Sequence, residues 1–172
     1  IFSSLLSIHL FYDTFKYYRA TFHLFIERFI SSVHVHCGVR SVVSDSYSSL
    51  LDSPLHSILF NVQEASDSRV IGDECTGLLE VIQNSDLGVR TVDACVQATY
   101  RLQWVFDTCR NLPQGGNTHT TRAFLVLLTK DYIEAVRKLR PEALLVLAYY
   151  GVLLHRSRQD WTINDSGEFL VR

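Results

Sequence analysis

Apolar residues recur at intervals of three and four along most of the chain, a spacing that predicts helices rather than strands. Helices are predicted for residues 2–18, 21–43, 54–61, 72–82, 89–110, 122–128, 129–139 and 141–155, with a last one after residue 164. Residues 111–121, which contain Gly-Gly and a run of Asn and Thr, are predicted to form a loop. We therefore expect an all-α fold, a single irregular bundle of about seven to nine helices.

The segment from Pro141 to His155 is predicted to be the central helix of this bundle. Pro141 suits the first helical position, and Glu142 suits the positive end of the helix dipole. From Ala143 to Leu154 every residue is apolar, aromatic or glycine, which corresponds to about 18 Å of helix. This is shorter than the ~20 residues that cross a bilayer, so we expect a helix covered by other helices and no membrane span.

Composition indicates one globular domain over residues 1–172. The chain is 47% hydrophobic and 20% charged, enough apolar material for a sizeable core. A net charge of −2 gives no basic surface, so we expect no direct contact with nucleic acid. The chain has no Met and no recognisable signal peptide. We expect a domain trimmed at both ends and an intracellular location, in the nucleus or the cytoplasm.

The four cysteines, Cys37, Cys75, Cys95 and Cys109, are too far apart in sequence for a Cys-x-x-Cys metal or redox motif. Cys95 and Cys109 fall in one predicted helix about 21 Å apart, beyond the reach of a disulfide. Free, buried thiols in a reducing compartment are expected.

Catalytic and cofactor signatures are sparse. There is no Gly-x-Ser-x-Gly elbow or dinucleotide fingerprint, and Gly72-x4-Gly77 lacks the Lys-Ser/Thr of a phosphate loop. His34 and His36 could ligate a metal by residue type, but on a helix they point to different sides. We predict no cofactor and no metal, and the sequence names no catalytic residue.

Aromatic residues in the predicted interior are candidates for a ligand pocket, because pockets for hydrophobic molecules combine such residues with a few polar groups. The same pattern also fits an ordinary core. His155 either caps the carbonyl end of its helix or contacts a ligand. The candidate pocket residues are Tyr100, Trp104, Phe124, Tyr149, Leu153, His155 and Trp161.

Two blocks of sequence resemble the fungal-specific transcription factor domain, in the branch of the yeast sterol uptake regulators. The first runs from Arg140 through Leu145, continues from Ala148 to His155 and ends in Trp161. The second comprises Gly38 to Val43 and Leu50 to Leu55. The resemblance implies a regulatory domain that binds a hydrophobic small molecule, such as a sterol, within a helical bundle.

Three functions follow from these observations. The first is a ligand-sensing regulatory domain of a fungal zinc-cluster transcription factor, or of a derivative of one. The six-cysteine zinc cluster of that class does not occur here, so DNA binding is not expected of this chain. The second is a small helical enzyme of fungal secondary metabolism that orients an apolar substrate in the same pocket, with Tyr100, Tyr149 or His155 as hydrogen-bond donors. The third is a protein-interaction scaffold, in which a homodimer is one arrangement.

Overall fold

The computed structural model describes residues 2–45, 71–112 and 117–172. These residues form eight helices and no strand, which confirms an all-α bundle of seven to nine helices. The predicted helix over residues 54–61 lies outside the described residues. In chain order the helices are α1 (Phe2–Tyr17), α2 (Phe22–Asp45), α3 (Thr76–Gln83), α4 (Val89–Asn111), α5 (Asn117–Leu127), α6 (Lys130–Arg137), α7 (Pro141–Arg156) and α8 (Ser166–Val171).

A cluster of phenylalanines joins α1, α2 and α8. Phe15 of α1 lies 5.1 Å from Phe25 of α2, and Phe25 lies 4.8 Å from Phe169 of α8, between ring centroids. Phe15 and Phe25 are buried. α1 and α2 are separate helices because Thr21 caps the start of α2. The Thr21 hydroxyl accepts a hydrogen bond from the Leu24 N–H at 3.2 Å.

The prediction for α3 was wrong at its start, which lies at Thr76 instead of Gly72. Two backbone donors before Thr76 are bound by side chains of α4. The Gly72 N–H donates to the Asp107 carboxylate, and the Cys75 N–H donates to the Gln103 amide oxygen, both at 2.9 Å. Tertiary hydrogen bonds therefore replace the first turn of helix that the sequence pattern predicts.

Part of the predicted loop is helical, since α5 begins at Asn117. Thr120 and Thr121 are buried, and the Thr121 hydroxyl lies 3.1 Å from that of Ser157. Thr120 and Thr121 therefore lie in the packed part of a helix, and the prediction of a loop was wrong from residue 117 onward.

The central helix α7 packs against α3, α4, α6 and α8. Pro141 stands at its first position, as predicted, and its buried face is formed by Ala143, Val146, Leu147, Tyr150, Gly151, Leu153 and Leu154. The expectation that other helices cover it on all sides was wrong, because Val152 is 40% exposed. One side of α7 thus remains open next to α8.

Within the described ranges, no helix has both the length and the hydropathy that a membrane-crossing segment needs.

Candidate functional site

The seven candidate pocket residues lie in different parts of the structure and differ in burial. Tyr100 and Trp104 lie one turn apart on the outer face of α4 and are 56% and 37% exposed. Phe124 and Leu153 are buried, Tyr149 is half-buried and His155 is exposed. Trp161 is 73% exposed in the segment between α7 and α8, with its ring 5.5 Å from that of Tyr12.

The open side of α7 forms one wall of a groove whose other wall is α8. The groove has a volume of about 420 Å³. Its apolar surface comes from two glycines, Gly151 and Gly167, and from Val152 and Val171. Val171 is 62% exposed, so both valines present apolar surface to solvent. Of the seven candidates, His155 lines this groove.

Polar and charged side chains form the rim of the groove. His155 and Arg156 come from the last turn of α7, and Glu168 and Arg172 from α8 and its end. Glu168 pairs with Arg172, and the Arg156 guanidinium lies 5.2 Å from the Phe106 ring centroid. The arrangement suits a molecule with an apolar body and one polar end.

Two glycines, Gly151 and Gly167, allow the backbones of α7 and α8 to come into close contact. A Cβ on Gly167 would lie 2.3 Å from the carbonyl oxygen of Gly151 and 2.4 Å from the backbone nitrogen of His155. Neither contact can be relieved by rotating a side chain. The crossing therefore requires glycine at position 167.

A salt bridge holds the start of α8 on the turn between α1 and α2. Both terminal nitrogens of Arg19 donate to the Asp165 carboxylate at 2.7 Å. The guanidinium also lies 4.7 Å from the Phe169 ring centroid. The Arg19 hydrogen bond lowers the pKa of Asp165. This salt bridge therefore joins the start of α8 to the α1–α2 turn.

A second polar region lies in the interior, around Arg122 of α5. Its guanidinium donates to the Thr162 hydroxyl and lies 4.0 Å from the Asp160 carboxylate. Burial lowers the pKa of Arg122, and Asp160 opposes this effect. Burial raises the pKa of the Tyr150 hydroxyl, which has no hydrogen-bond partner among the residues that the structure describes. Tyr150 instead packs its ring 4.8 Å from that of Phe124.

None of the four cysteines forms a disulfide, as predicted. Cys75 and Cys95 are buried, whereas Cys37 and Cys109 are only partly buried, so the expectation of buried thiols was wrong for these two. Burial raises the pKa of Cys75 to about 12, with Glu74 and Asp107 adding to the effect. Burial likewise raises the pKa of Cys95 to about 11. These two thiols stay protonated at neutral pH, so neither is an activated nucleophile.

His34 and His36 occupy different environments on α2. His34 is exposed, whereas His36 is 4% exposed and its Nδ1 lies 2.9 Å from the Ser32 carbonyl oxygen. A carbonyl oxygen only accepts, so Nδ1 carries the proton. Burial lowers the pKa of His36. The two side chains point to different sides of the helix, as its geometry predicts.

Sequence reasoning found one residue of the groove, His155, and missed the pair that creates it. Gly151 and Gly167 each interrupt an otherwise helical segment, where glycine costs about 1 kcal/mol relative to alanine. A glycine in such a place often marks a close approach of two backbones. That signal was available, but the sequence alone did not indicate that the two glycines meet.

The chain is similar in sequence to a fungal transcription factor. It is similar to a Zn(2)-C6 fungal-type transcription factor of Gibberella zeae, with 26% identity over 148 aligned residues. The alignment covers 79% of this chain and 28% of that protein, so the chain spans less than a third of its relative. No protein-family model matches the chain, and no solved structure matches it significantly. The similarity indicates a relationship to fungal transcription factors.

Proposed function

We propose that this chain is a ligand-sensing regulatory domain of the kind found in fungal Zn(2)-C6 transcription factors, and that it binds an apolar small molecule in the α7–α8 groove. The observation that carries the proposal is the groove itself, an apolar surface between two helices with a charged rim. The similarity to the Gibberella zeae protein supports the regulatory part of the proposal.

The size and chemistry of the groove favour a small molecule. Its volume of about 420 Å³ falls within the range of about 300–1,000 Å³ that is typical of ligand sites. Val152 and Val171 offer apolar contacts, and His155 and Arg156 offer donors to a hydroxyl or carboxylate at one end. A sterol has this character and is the first class to test, in line with the resemblance of the 140–161 block.

The proposed mechanism is a population shift. A ligand between α7 and α8 contacts both helices, so it favours the arrangement in which they stand at the observed spacing. The bond between Asp165 and Arg19 connects that spacing to the α1–α2 turn. The surface near this turn would then differ in conformation between the ligand-bound and ligand-free states. A nuclear or cytoplasmic location belongs to the same proposal.

The proposal is tested by placing a charge in the groove. Val152→Asp puts a carboxylate into the apolar surface at a position that is already 40% exposed, so the fold should tolerate it. The control is Val81→Asp, the same change at a 54% exposed position on α3. Thermal unfolding is followed for each variant with a panel of sterols and other apolar molecules.

A ligand at one hundred times its Kd is expected to stabilise the unchanged chain by about 2.7 kcal/mol. Val81→Asp should retain this gain and Val152→Asp should lose most of it. Equal stabilisation of both variants would place the ligand elsewhere. If no molecule of the panel stabilises the unchanged chain, the proposed ligand-sensing function is contradicted.

A further inference from the structure

The rim of the α7–α8 groove carries a positive charge that no carboxylate of the described residues neutralises. The charges of Glu168 and Arg172 offset each other, because these two side chains form an ion pair. Arg156 also lines the groove and is exposed, and it forms no ion pair within the described ranges. The Arg156 guanidinium is therefore available to a ligand in the groove.

An aromatic ring already restricts the position of this guanidinium. It lies 5.2 Å from the ring centroid of Phe106, which belongs to α4 and is 2% exposed. A contact between a guanidinium and a ring uses no hydrogen-bond acceptor, so the donors of its planar fork remain for a ligand. Because Arg156 is held against the ring, less conformational freedom is lost when it binds.

His155 adds an uncharged donor to the same rim. The Arg158 Nη1 lies 3.3 Å from the His155 Nε2. A guanidinium only donates, so Nε2 accepts and Nδ1 carries the proton of the neutral ring. This Nδ1–H can bind the oxygen of a hydroxyl or of a carboxylate. Arg156 is therefore the residue that distinguishes a charged ligand from an uncharged one.

The apolar surface of the groove lies within reach of Arg156. Val152 precedes Arg156 by four residues, so the two side chains share one face of α7, about 6 Å apart along its axis. Val152 is 40% exposed, and Val171 on the opposite wall is 62% exposed. A ligand whose apolar chain contacts these valines can therefore place its end group at Arg156.

A carboxylate suits this end group better than a hydroxyl does. Its two oxygens match the fork of a guanidinium, and hydrogen bonds between charged groups are roughly twice as strong as neutral ones. We propose that the α7–α8 groove selects amphiphiles that carry one carboxylate on an apolar chain, and that Arg156 binds this carboxylate. The proposal rests on the proposed function, in which the groove is the ligand site.

Decanoate and decan-1-ol test the proposal, because they share an apolar chain and differ in charge. Isothermal titration calorimetry measures both dissociation constants at neutral pH, where the carboxylate is ionised, and at concentrations that keep the ligands monomeric. Decanoate is expected to bind about tenfold more tightly than decan-1-ol. Val152→Asp is titrated with decan-1-ol, since an uncharged ligand tests the groove without repulsion between two carboxylates.

Three variants test the role of the charge. Arg156→Gln removes it and Arg156→Lys retains it, whereas Arg140→Gln removes an exposed charge at the opposite end of α7. Arg156→Gln should bind decanoate about tenfold more weakly and decan-1-ol nearly unchanged. Arg156→Lys should bind decanoate with intermediate affinity, and Arg140→Gln should bind it like the unchanged chain. Melting curves verify that each variant is folded.

The outcomes separate this inference from the proposed function. Equal affinities for decanoate and decan-1-ol, with decan-1-ol binding lost in Val152→Asp, would overturn the selection of a carboxylate and leave the groove as a ligand site. Unchanged decanoate affinity in Arg156→Gln would overturn the role of Arg156. Binding of neither ligand would also overturn the inference, and the panel of sterols and other apolar molecules then tests the groove independently.

Discussion

Gly167 meets Gly151 at the crossing of α7 and α8, and a Cβ added to Gly167 would lie 2.3 Å from the Gly151 carbonyl oxygen. Real Cβ atoms essentially never approach other heavy atoms below 3.0 Å. Both contacting groups are backbone atoms of helices, so the strain cannot be released locally. The geometry of the α7–α8 groove therefore depends on this pair.

Replacing Gly167 by alanine is expected to destabilise the protein by about 1–3 kcal/mol, because the added methyl group overpacks the helix crossing. Urea unfolding measures the change. The matched control is Gly77→Ala in α3, where no atom of the described residues lies within 4 Å of the added Cβ. This control should leave stability unchanged or raise it by up to about 1 kcal/mol, because alanine favours the helix. The same small effect at both positions would refute the close crossing.

Two buried tyrosines make a second matched pair. The Tyr132 hydroxyl donates to the Ala143 carbonyl oxygen at 3.0 Å, whereas the Tyr150 hydroxyl has no partner within the described part of the chain. Tyr132→Phe should therefore cost about 1 kcal/mol, the usual net value of a hydrogen bond. Tyr150→Phe should be neutral or stabilising, because it removes a buried, unpaired hydroxyl. A larger loss in Tyr150→Phe than in Tyr132→Phe, measured by urea unfolding, would contradict this assignment.

Glu74 makes stability depend on pH at acid values. Burial raises its pKa, but hydrogen bonds from Arg110 and Gln103 outweigh burial and lower the pKa from 4.5 to about 2. A carboxyl with a depressed folded-state pKa contributes stability above its unfolded pKa, and the contribution is lost as the pH falls through the folded value. Its contribution should be complete above about pH 4.5 and disappear towards pH 2.

The measurement compares the free energy of unfolding of Glu74→Gln with that of the unchanged protein between pH 7 and pH 2. The variant should be less stable at neutral pH, and the two curves should converge towards pH 2. Glu80→Gln, an exposed position on α3, should run parallel to the unchanged protein. A Glu74→Gln curve that stays parallel as well would rule out the ion pair with Arg110 as the source of the shift.

The cap of α6 gives a local prediction. The Thr129 hydroxyl accepts a hydrogen bond from the Tyr132 N–H at 3.2 Å. Thr129→Ala should cost about 1 kcal/mol by removing this acceptor, and Thr129→Ser should retain most of the stability. Thermal unfolding distinguishes the two. Equal losses in both variants would assign the effect to the lost methyl group instead of the cap.

The helices could be predicted wherever local signals and tertiary packing agree. Pro141 and Thr129 both stand at the helix starts that the sequence indicated. Prediction failed where distant side chains take over backbone donors, as Asp107 and Gln103 do before α3. It also failed at the start of α5, where the hydroxyl of the buried Thr121 lies 3.1 Å from that of Ser157, a residue distant in sequence.

The groove could be predicted less well than the fold. Its lining comes from two helices that are about ten residues apart in sequence, and the feature that joins them is a pair of glycines. Aromatic residues carry the sequence signal for a pocket, yet Tyr100 and Trp161 lie largely in solvent. Periodicity shows which residues share a helix face, but not which face remains uncovered.

Native mass spectrometry of the chain purified from a fungal host, followed by organic extraction, tests the central claim most directly. The account predicts one apolar molecule per chain, present in the unchanged protein and in Val81→Asp and missing from Val152→Asp. A mass of the chain alone, together with no stabilisation by any of the apolar molecules, would contradict ligand sensing in the α7–α8 groove.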